Sequence, residues 1–265
     1  MFRDEHPVAW HYHRNSSRWS YNRLEYHPER RQTSAFKEYL NVAVIELPSP
    51  ELPDCGIAQL LRSRASCRRF APTPLTGEQL SSLLWAAYGT LDTIAIGNLE
   101  QVNRTVPSGG GLYPLEVYAV VLRSDGIAPG IYHFNALHHL LERIVEGAPP
   151  GGFLTELFLH QPYVPEASCL LVTTAVVGRS LWKYEERGYR YILFEAGHVA
   201  QNIDLACGAL GLGSLNVGGF FDHDLAQLLE LDPELEVPVY VTAVGAPETE
   251  DLMQIRVPRG GLAAV

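Results

Sequence analysis

Four arginines fall within eight residues in RSRASCRRF, residues 62–70 of a 265-residue chain whose formal charge is −10. A guanidinium keeps its charge, and its planar fork matches phosphate oxygens two at a time. Arg64, Ser66 and Arg68 alternate, so an extended segment points all three side chains one way, as a cradle for one phosphate group; a solvated basic patch is the plainer alternative. The stretch PSGGGLYP, residues 107–114, sets Pro107, Ser108, Gly109, Gly110 and Gly111 directly before an apolar run. Consecutive backbone N–H groups without Cβ atoms can bind an anion or carbonyl and let a flat ring approach. A second glycine pair, Gly218 and Gly219, follows in NVGGFFD and can offer backbone amides to an acceptor atom. SLWKYEERGYRY, residues 180–191, holds Lys183 beside Tyr184. A desolvated lysine, or a tyrosine next to a cation, can act as a base. Helical neighbours do not face each other, so the two are expected to share a site only outside regular helix.

Other chemistries find little support. The chain has no Walker loop, and GALGLG at 208–213 ends a helical pattern where a dinucleotide fingerprint would open one. No nucleophile elbow or zinc-protease motif occurs. His11 and His13 lack nearby metal-ligating partners, and the cysteines at 55, 67, 169 and 207 form no C-x-x-C pair, so no metal site is expected and reduced thiols fit a cytoplasmic protein. His198, three residues after Glu195, is expected to bond locally. The acidic balance disfavours a nucleic-acid surface, no run is long and apolar enough to span a membrane, and the first residues are no secretory signal.

The elements that must carry these residues follow from period and punctuation. Residues 1–45 show no sustained period and read as an extended arm, basic and aromatic, with Trp10, Tyr12, Trp19 and Tyr21. Its seven bases (Arg3, Arg14, Arg18, Arg23, Arg30, Arg31, Lys37) face five acids, which leaves 13 bases against 25 acids in the remainder. Asp54 can cap a helix bearing Ile57, Leu60 and Leu61; Thr76 and Gln79 form a capping box for a second, with Leu80, Leu83, Leu84 and Tyr88 inward and Gly89 at its end. LEVYAVVL, GIYHF, HHLLERI, CLLVTTAVV and VPVYVTAVG read as strands, and GGFLTELFLH as a helix. The longest period, through Ile192, Leu193, Ala196, Val199, Ala200, Ile203, Cys207 and Leu210, predicts a long helix stopped at Gly211 and Gly213. A short helix follows Asp222. Helices and strands interleave without regular βαβ alternation, which makes the fold α+β, with residues 1–50 as the arm and 51–265 as one domain.

The ordered series RSRASCRRF, LSSLLWAAYG, PSGGGLYPLEVY, GIYHF, KYEERGYR, EAGHVAQNIDLACGALGLG, GGFFD and VGAP, over roughly residues 56–247, resembles the nitroreductase-like flavoenzymes. Within them it is most similar to the SagB-type azoline oxidases, which make thiazoles and oxazoles. That branch usually reads PSAGALYP, so Gly109 and Gly111 replace alanines here. The resemblance implies a mixed central sheet flanked by helices, and a homodimer with a long interface helix and two FMN sites. Arg64, Ser66 and Arg68 would hold the FMN phosphate. Pro107, Ser108, Gly109 and Gly110 would line the flavin ring from the other subunit, Gly218 and Gly219 would supply amides near it, and Arg256 would complete the phosphate site. Lys183 and Tyr184 take the catalytic role, because aromatising an azoline removes a ring proton as well as a hydride. About 50 residues before the core are too few for a leader-binding module, so a stand-alone oxidase acting on an azoline-bearing peptide is expected, and the basic arm is the expected docking surface for an acidic carrier protein. An NAD(P)H-dependent nitro- or quinone reductase and a non-catalytic flavin-binding scaffold are the alternatives.

Overall fold

A computed structural model describes residues 2–17, 34, 36–96 and 99–248; Arg256 and most of the arm's basic residues lie outside them. In chain order the elements are α1 (Phe2–Glu5), α2 (Pro7–Asn15), β1 (Val44–Glu46), α3 (Ile57–Ser63), β2 (Leu75–Thr76), α4 (Gly77–Tyr88), β3 (Thr90–Ile96) and β4 (Leu99–Arg104). A 3-10 turn at Gly109–Gly111 leads into β5 (Leu115–Val121), β6 (Ser124–Asp125), β7 (Gly130–Asn135), β8 (Leu140–Glu146) and α5 (Gly151–Leu157). The chain continues through β9 (Cys169–Val176), α6 (Gly178–Tyr184), α7 (Glu186–Ala209), β10 (Gly213–Val217), α8 (Asp222–Leu228) and β11 (Glu236–Gly245).

Seven strands form the main sheet in the order β1-β8-β7-β5-β9-β11-β10. Every pairing in it is antiparallel, which corrects the expectation of a mixed sheet. The α+β class holds. β5 is buried along its whole length because alternate side chains enter different cores. Leu115, Val117, Ala119 and Val121 pack with Leu80, Leu84, Ile192 and Val199 of α4 and α7. Tyr118 and Val120 pack with Leu154, Leu157 and Leu225 of α5 and α8. The result is three layers, helix on sheet on helix.

α4 starts as its sequence dictates: Gln79 N–H donates to Thr76 Oγ1, and the Gln79 side chain accepts from the Thr76 N–H. Gly89 ends the helix in extended backbone, and a Cβ there would lie 2.4 Å from the Trp85 side chain. α7 runs for 24 residues with Ile192, Ala196, Val199, Ala200, Ile203 and Cys207 buried, and Gly211 takes φ +68° beyond its end. Leu193 instead faces out, one position off the buried stripe.

Two local expectations change. α3 is capped by Gly56 with no side-chain bond, so Asp54 is not its cap, and Ile57 and Leu61 are exposed. Phe2–Glu5 and Pro7–Asn15 are helical where an extended arm was expected. Pro7 presets φ at the start of α2, and a helix that buries no residue leaves no apolar period to read. α2 meets α7 through side chains: Tyr12 meets the edge of Tyr189, and Arg190 donates to Ser16 Oγ at 2.7 Å and to the His13 carbonyl at 2.6 Å. His11 and His13 stand on this helix, and the described residues hold no group of side chains able to bind a metal. Lys37 leaves the arm altogether, its Nζ 2.6 Å from Glu236 Oε2 and 2.7 Å from Tyr118 Oη.

Candidate functional site

The glycine triplet folds back on itself before β5 begins. Gly111 N–H donates to the Ser108 carbonyl at 3.1 Å, and Gly110 and Gly111 both take left-handed backbone, φ +65° and +64°. That conformation disfavours a side chain. Tyr113 follows at φ +45°, held there because its N–H donates to Ser108 Oγ at 2.9 Å and its ring is buried against Tyr88.

What lies over the bare turn is the Lys–Tyr pair. A Cβ on Gly110 would stand 2.3 Å from Tyr184 Oη and 2.8 Å from Lys183 Nζ. Both residues belong to the last turn of α6, so the expectation that they could meet only outside helix does not hold. Their long side chains converge beyond the helix end on a residue with no side chain of its own. Glu185, at φ +51°, ψ −144°, breaks the chain sharply between α6 and α7. Lys183 Nζ is 5.3 Å from the centre of the Tyr184 ring, within cation–π range, and Tyr184 sits edge-on to Tyr191 at 4.9 Å. Gly109 in turn packs on Tyr191, where a Cβ would be 3.4 Å from the ring.

Behind the turn stands a carboxyl that sequence reasoning did not single out for chemistry. Glu195 of α7 is buried, its Oε1 accepting the Tyr88 phenol at 2.5 Å and its Oε2 without a hydrogen bond. Burial pushes it up to about 7, although the Ser108 hydroxyl, the Tyr88 phenol and the Arg104 charge pull the other way. It turns toward Tyr88, and His198, one turn along, is exposed, so the expected local bond is absent. Its place in the sequence, three residues after Ile192 and four before Val199, puts this acid on the buried side of α7.

The arginine stretch forms a separate place. Arg64 ends α3, Ser66 bridges to Ser214 of β10, and Cys67 N–H donates to the Ser214 carbonyl at 2.8 Å. Cys67 is thereby buried as a packing thiol against Gly213, in keeping with the four free cysteines. A pocket of about 190 Å³ opens here, lined by Arg64, Cys67, Asp204, Gly208 and Ser214 among others. Ser66 and Arg68 are not on its wall, so the three-residue cradle is only partly assembled. Asp204 accepts from Ser214 Oγ at 2.7 Å and Asn216 Nδ2 at 3.0 Å; burial raises it above the usual carboxylate range, with those bonds and Arg64 opposing. Gly218 and Gly219 come to neither place. Gly219 accepts from Gln161 Nε2 at 3.2 Å and packs on Leu159, while Gly218 faces Tyr240.

The two places share one helix. Tyr191 and Glu195 border the glycine turn, and Asp204 and Gly208 border the arginine pocket. At 1.5 Å per residue, the thirteen steps from Tyr191 to Asp204 cover about 20 Å. Within one chain the turn and the pocket are therefore distinct.

The nitroreductase family model matches residues 61–246. A Methanocaldococcus jannaschii protein assigned to the nitroreductases is 34% identical over 201 residues, 76% of this chain and 96% of its own length. The trifolitoxin-processing protein TfxB of Rhizobium leguminosarum bv. trifolii is 29% identical over 87% of this chain and 68% of its length. The microcin B17-processing protein McbC of Escherichia coli is 27% identical over 58% of each chain. Among solved structures, a nitroreductase-type protein of Anabaena variabilis superposes with a TM-score of 0.72 at 29% identity, over 94% of this chain. This chain spans about half, 47%, of that protein's length.

Proposed function

Because the chain belongs to the nitroreductase family, we propose that it is an FMN-dependent oxidase that converts thiazoline or oxazoline rings of a peptide into thiazole or oxazole. The observation that carries this reading is the closure of Lys183 and Tyr184 on Gly110. A reductase fed by a nicotinamide has no need of a base at that point, whereas aromatisation must take a proton from a ring carbon. Two relatives named for processing trifolitoxin and microcin B17 support a peptide substrate.

The donor set fits a flavin mononucleotide in two halves. Arg64 lines a pocket able to take a phosphate, and its acid neighbour Asp204 is held by two hydrogen bonds and shifted toward its neutral form. The glycine turn carries no side chain, so a ring can approach its backbone beside the Lys183–Tyr184 pair. When bound, the flavin supplies the acceptor for the hydride. The chain's own residues do the remainder: the deprotonated member of the Lys183–Tyr184 pair takes the one ring proton while the other holds it in place, Tyr191 holds the Tyr184 ring edge-on, and Ser108 fixes the turn through the Tyr113 N–H. Because turn and pocket lie about 20 Å apart along α7, we infer a homodimer in which one copy holds the phosphate at Arg64, on the pocket wall. The other copy then offers Pro107, Ser108, Gly109 and Gly110 to the ring. No helix among the described residues is long and apolar enough to cross a membrane.

The test is incubation of the flavin-loaded protein with a thiazoline, scored by mass for loss of two hydrogens. Lys183→Ala and Tyr184→Phe should lower that rate about 10²- to 10⁴-fold, the range for losing a positioned base, while flavin content stays unchanged. A reductase reading has one observation in its favour, the 34% identity to the M. jannaschii nitroreductase relative. NADPH-driven nitro reduction that both variants retain, with no azoline turnover, would establish it instead.

A further inference from the structure

The sheet face under residues 36–39 buries a second group of charges. The His133 ring lies between two carboxylates, Nδ1 2.8 Å from Glu142 Oε2 and Nε2 3.1 Å from Glu116 Oε2. A neutral imidazole has one N–H and could donate to only one of them, so the geometry calls for the imidazolium. Asn135 Nδ2 donates to Glu142 Oε1 at 2.8 Å, and Tyr39 N–H to Glu142 Oε2 at 3.1 Å. The tilted rings of Tyr39 and Tyr118 close over the imidazole. On its other side Glu116 meets Arg179, with Oε1 2.6 Å from Nη1 at an angle too oblique for a hydrogen bond, so the contact is chiefly ionic. The same Nη1 donates to the Tyr113 carbonyl at 3.2 Å.

Arg179 is buried and stands four residues before Lys183, one turn up the same helix. α6 has seven residues and no side-chain cap, too short to hold its own geometry. Its end is a sharp break at Glu185, so the tether at its start decides where its last turn points. We propose that Arg179 is the positioning residue of the Lys183–Tyr184 pair, its guanidinium clamping the first turn of α6 to the carbonyl that closes the glycine loop while Glu116 holds it in place. The Arg179 side chain engages the Tyr113 carbonyl and Glu116, and it acts on the pair through helix and loop. The consequence for turnover rests on Lys183 and Tyr184 being the working pair; the placement itself does not.

The sequence offers a direct readout, because Lys37 and Lys183 are its lysines. Trace acetylation of the full chain, followed by peptide mass spectrometry, reports Lys183 against the α-amino group, and Lys37 against the same standard. Arg179→Gln should raise Lys183 labelling about three- to tenfold, as local opening does, and speed hydrogen exchange at 109–113. Arg179→Lys keeps the charge but not the planar fork, so it should raise labelling about twofold. Lys37, on the far side of Glu116, should label as in the wild type. Unchanged Lys183 labelling in both variants overturns the proposal, and so does an equal rise at Lys37, which would mean general loosening. If Arg179→Gln does not fold, Arg179→Lys decides by the same two criteria. With a thiazoline, Arg179→Lys should lower kcat about tenfold at unchanged KM, the pattern for a misplaced base. Should Lys183→Ala leave aromatisation intact, the oxidase reading fails while the labelling still judges Arg179.

Discussion

Two buried acids illustrate two ways of living inside this fold. Glu116, behind the sheet, is opposed by burial, yet the His133 hydrogen bond and the Arg179 charge overcome it and keep the carboxyl below the ordinary range. His133 moves the other way for the same reason: burial disfavours its charge, and Glu116 and Glu142 more than restore it. Glu195, beside the glycine turn, is equally hidden but meets mainly hydroxyls, and it rises to about 7. Burial by itself does not decide ionisation; the presence of a countercharge in contact does. The paired region can therefore fix geometry across a wide pH range, whereas the corner at the site holds an acid able to change charge near neutrality.

Breaking the paired region should produce the largest effect. Glu116→Gln leaves Arg179 and His133 buried with one carboxylate between them, and removal of one partner of a buried pair costs about 3–5 kcal/mol. Urea denaturation should show that loss, and adding Arg179→Met should recover part of it, because the two sites are in contact. A loss below about 1 kcal/mol, the scale of an exposed pair, would mean that Glu116 is paired no more strongly than a surface acid.

The unpaired acid should answer in the opposite sense. Its folded pKa of about 7 exceeds the ordinary value, so between about pH 4.5 and 7 the unfolded chain releases this proton first and stability falls as pH rises. Above 7 both states are ionised and the whole penalty is present. Glu195→Gln keeps an acceptor for Tyr88 and removes the charge. It should match the wild type at pH 4.5 and exceed it at pH 8 by up to about 3 kcal/mol. Thermal melts at the two pH values decide it, and a variant less stable at pH 8 would show that the carboxylate has a countercharge after all.

The smallest effect on stability sharpens the role of the bare turn. Gly110→Ala puts a side chain into left-handed backbone, which costs about 1–2 kcal/mol, and its Cβ would press on Tyr184 Oη and Lys183 Nζ. The protein should fold with a modestly lower Tm, yet thiazoline turnover should fall far more than Tm suggests. Near-wild-type turnover would mean that the pair does not work from above Gly110.

Much of the framework was legible because it is local. The capping box at Thr76 and Gln79, the strand after the glycine loop, the strands at GIYHF and HHLLERI and the inward stripe of α7 each follow from period and punctuation. The helix at Pro7–Asn15 was not, since it buries nothing and so carries no period. The site was half legible: the bare glycines and the Lys183–Tyr184 pair stood out as residue types, and the arginine stretch as a charge anomaly. Arg179 and Glu195 did not, because one arginine or one glutamate in a chain with 20 bases and 30 acids has no pattern.

The sequence by itself determined the α+β class, the five strands β5, β7, β8, β9 and β11, the helices α4 and α7, and the residue types that chemistry would need, because those depend on contacts within a turn or along one strand. Only the tertiary structure decided that the sheet is antiparallel throughout and that Gly110 lies beneath a lysine and a tyrosine more than seventy residues away in the sequence. It also decided that cross-strand register sets Tyr118 opposite His133, and His133 opposite Glu142. Register depends on long-range pairing energies that no short window contains. For the same reason, which buried acid finds a cation and which does not is fixed only when the strands and α6 come together.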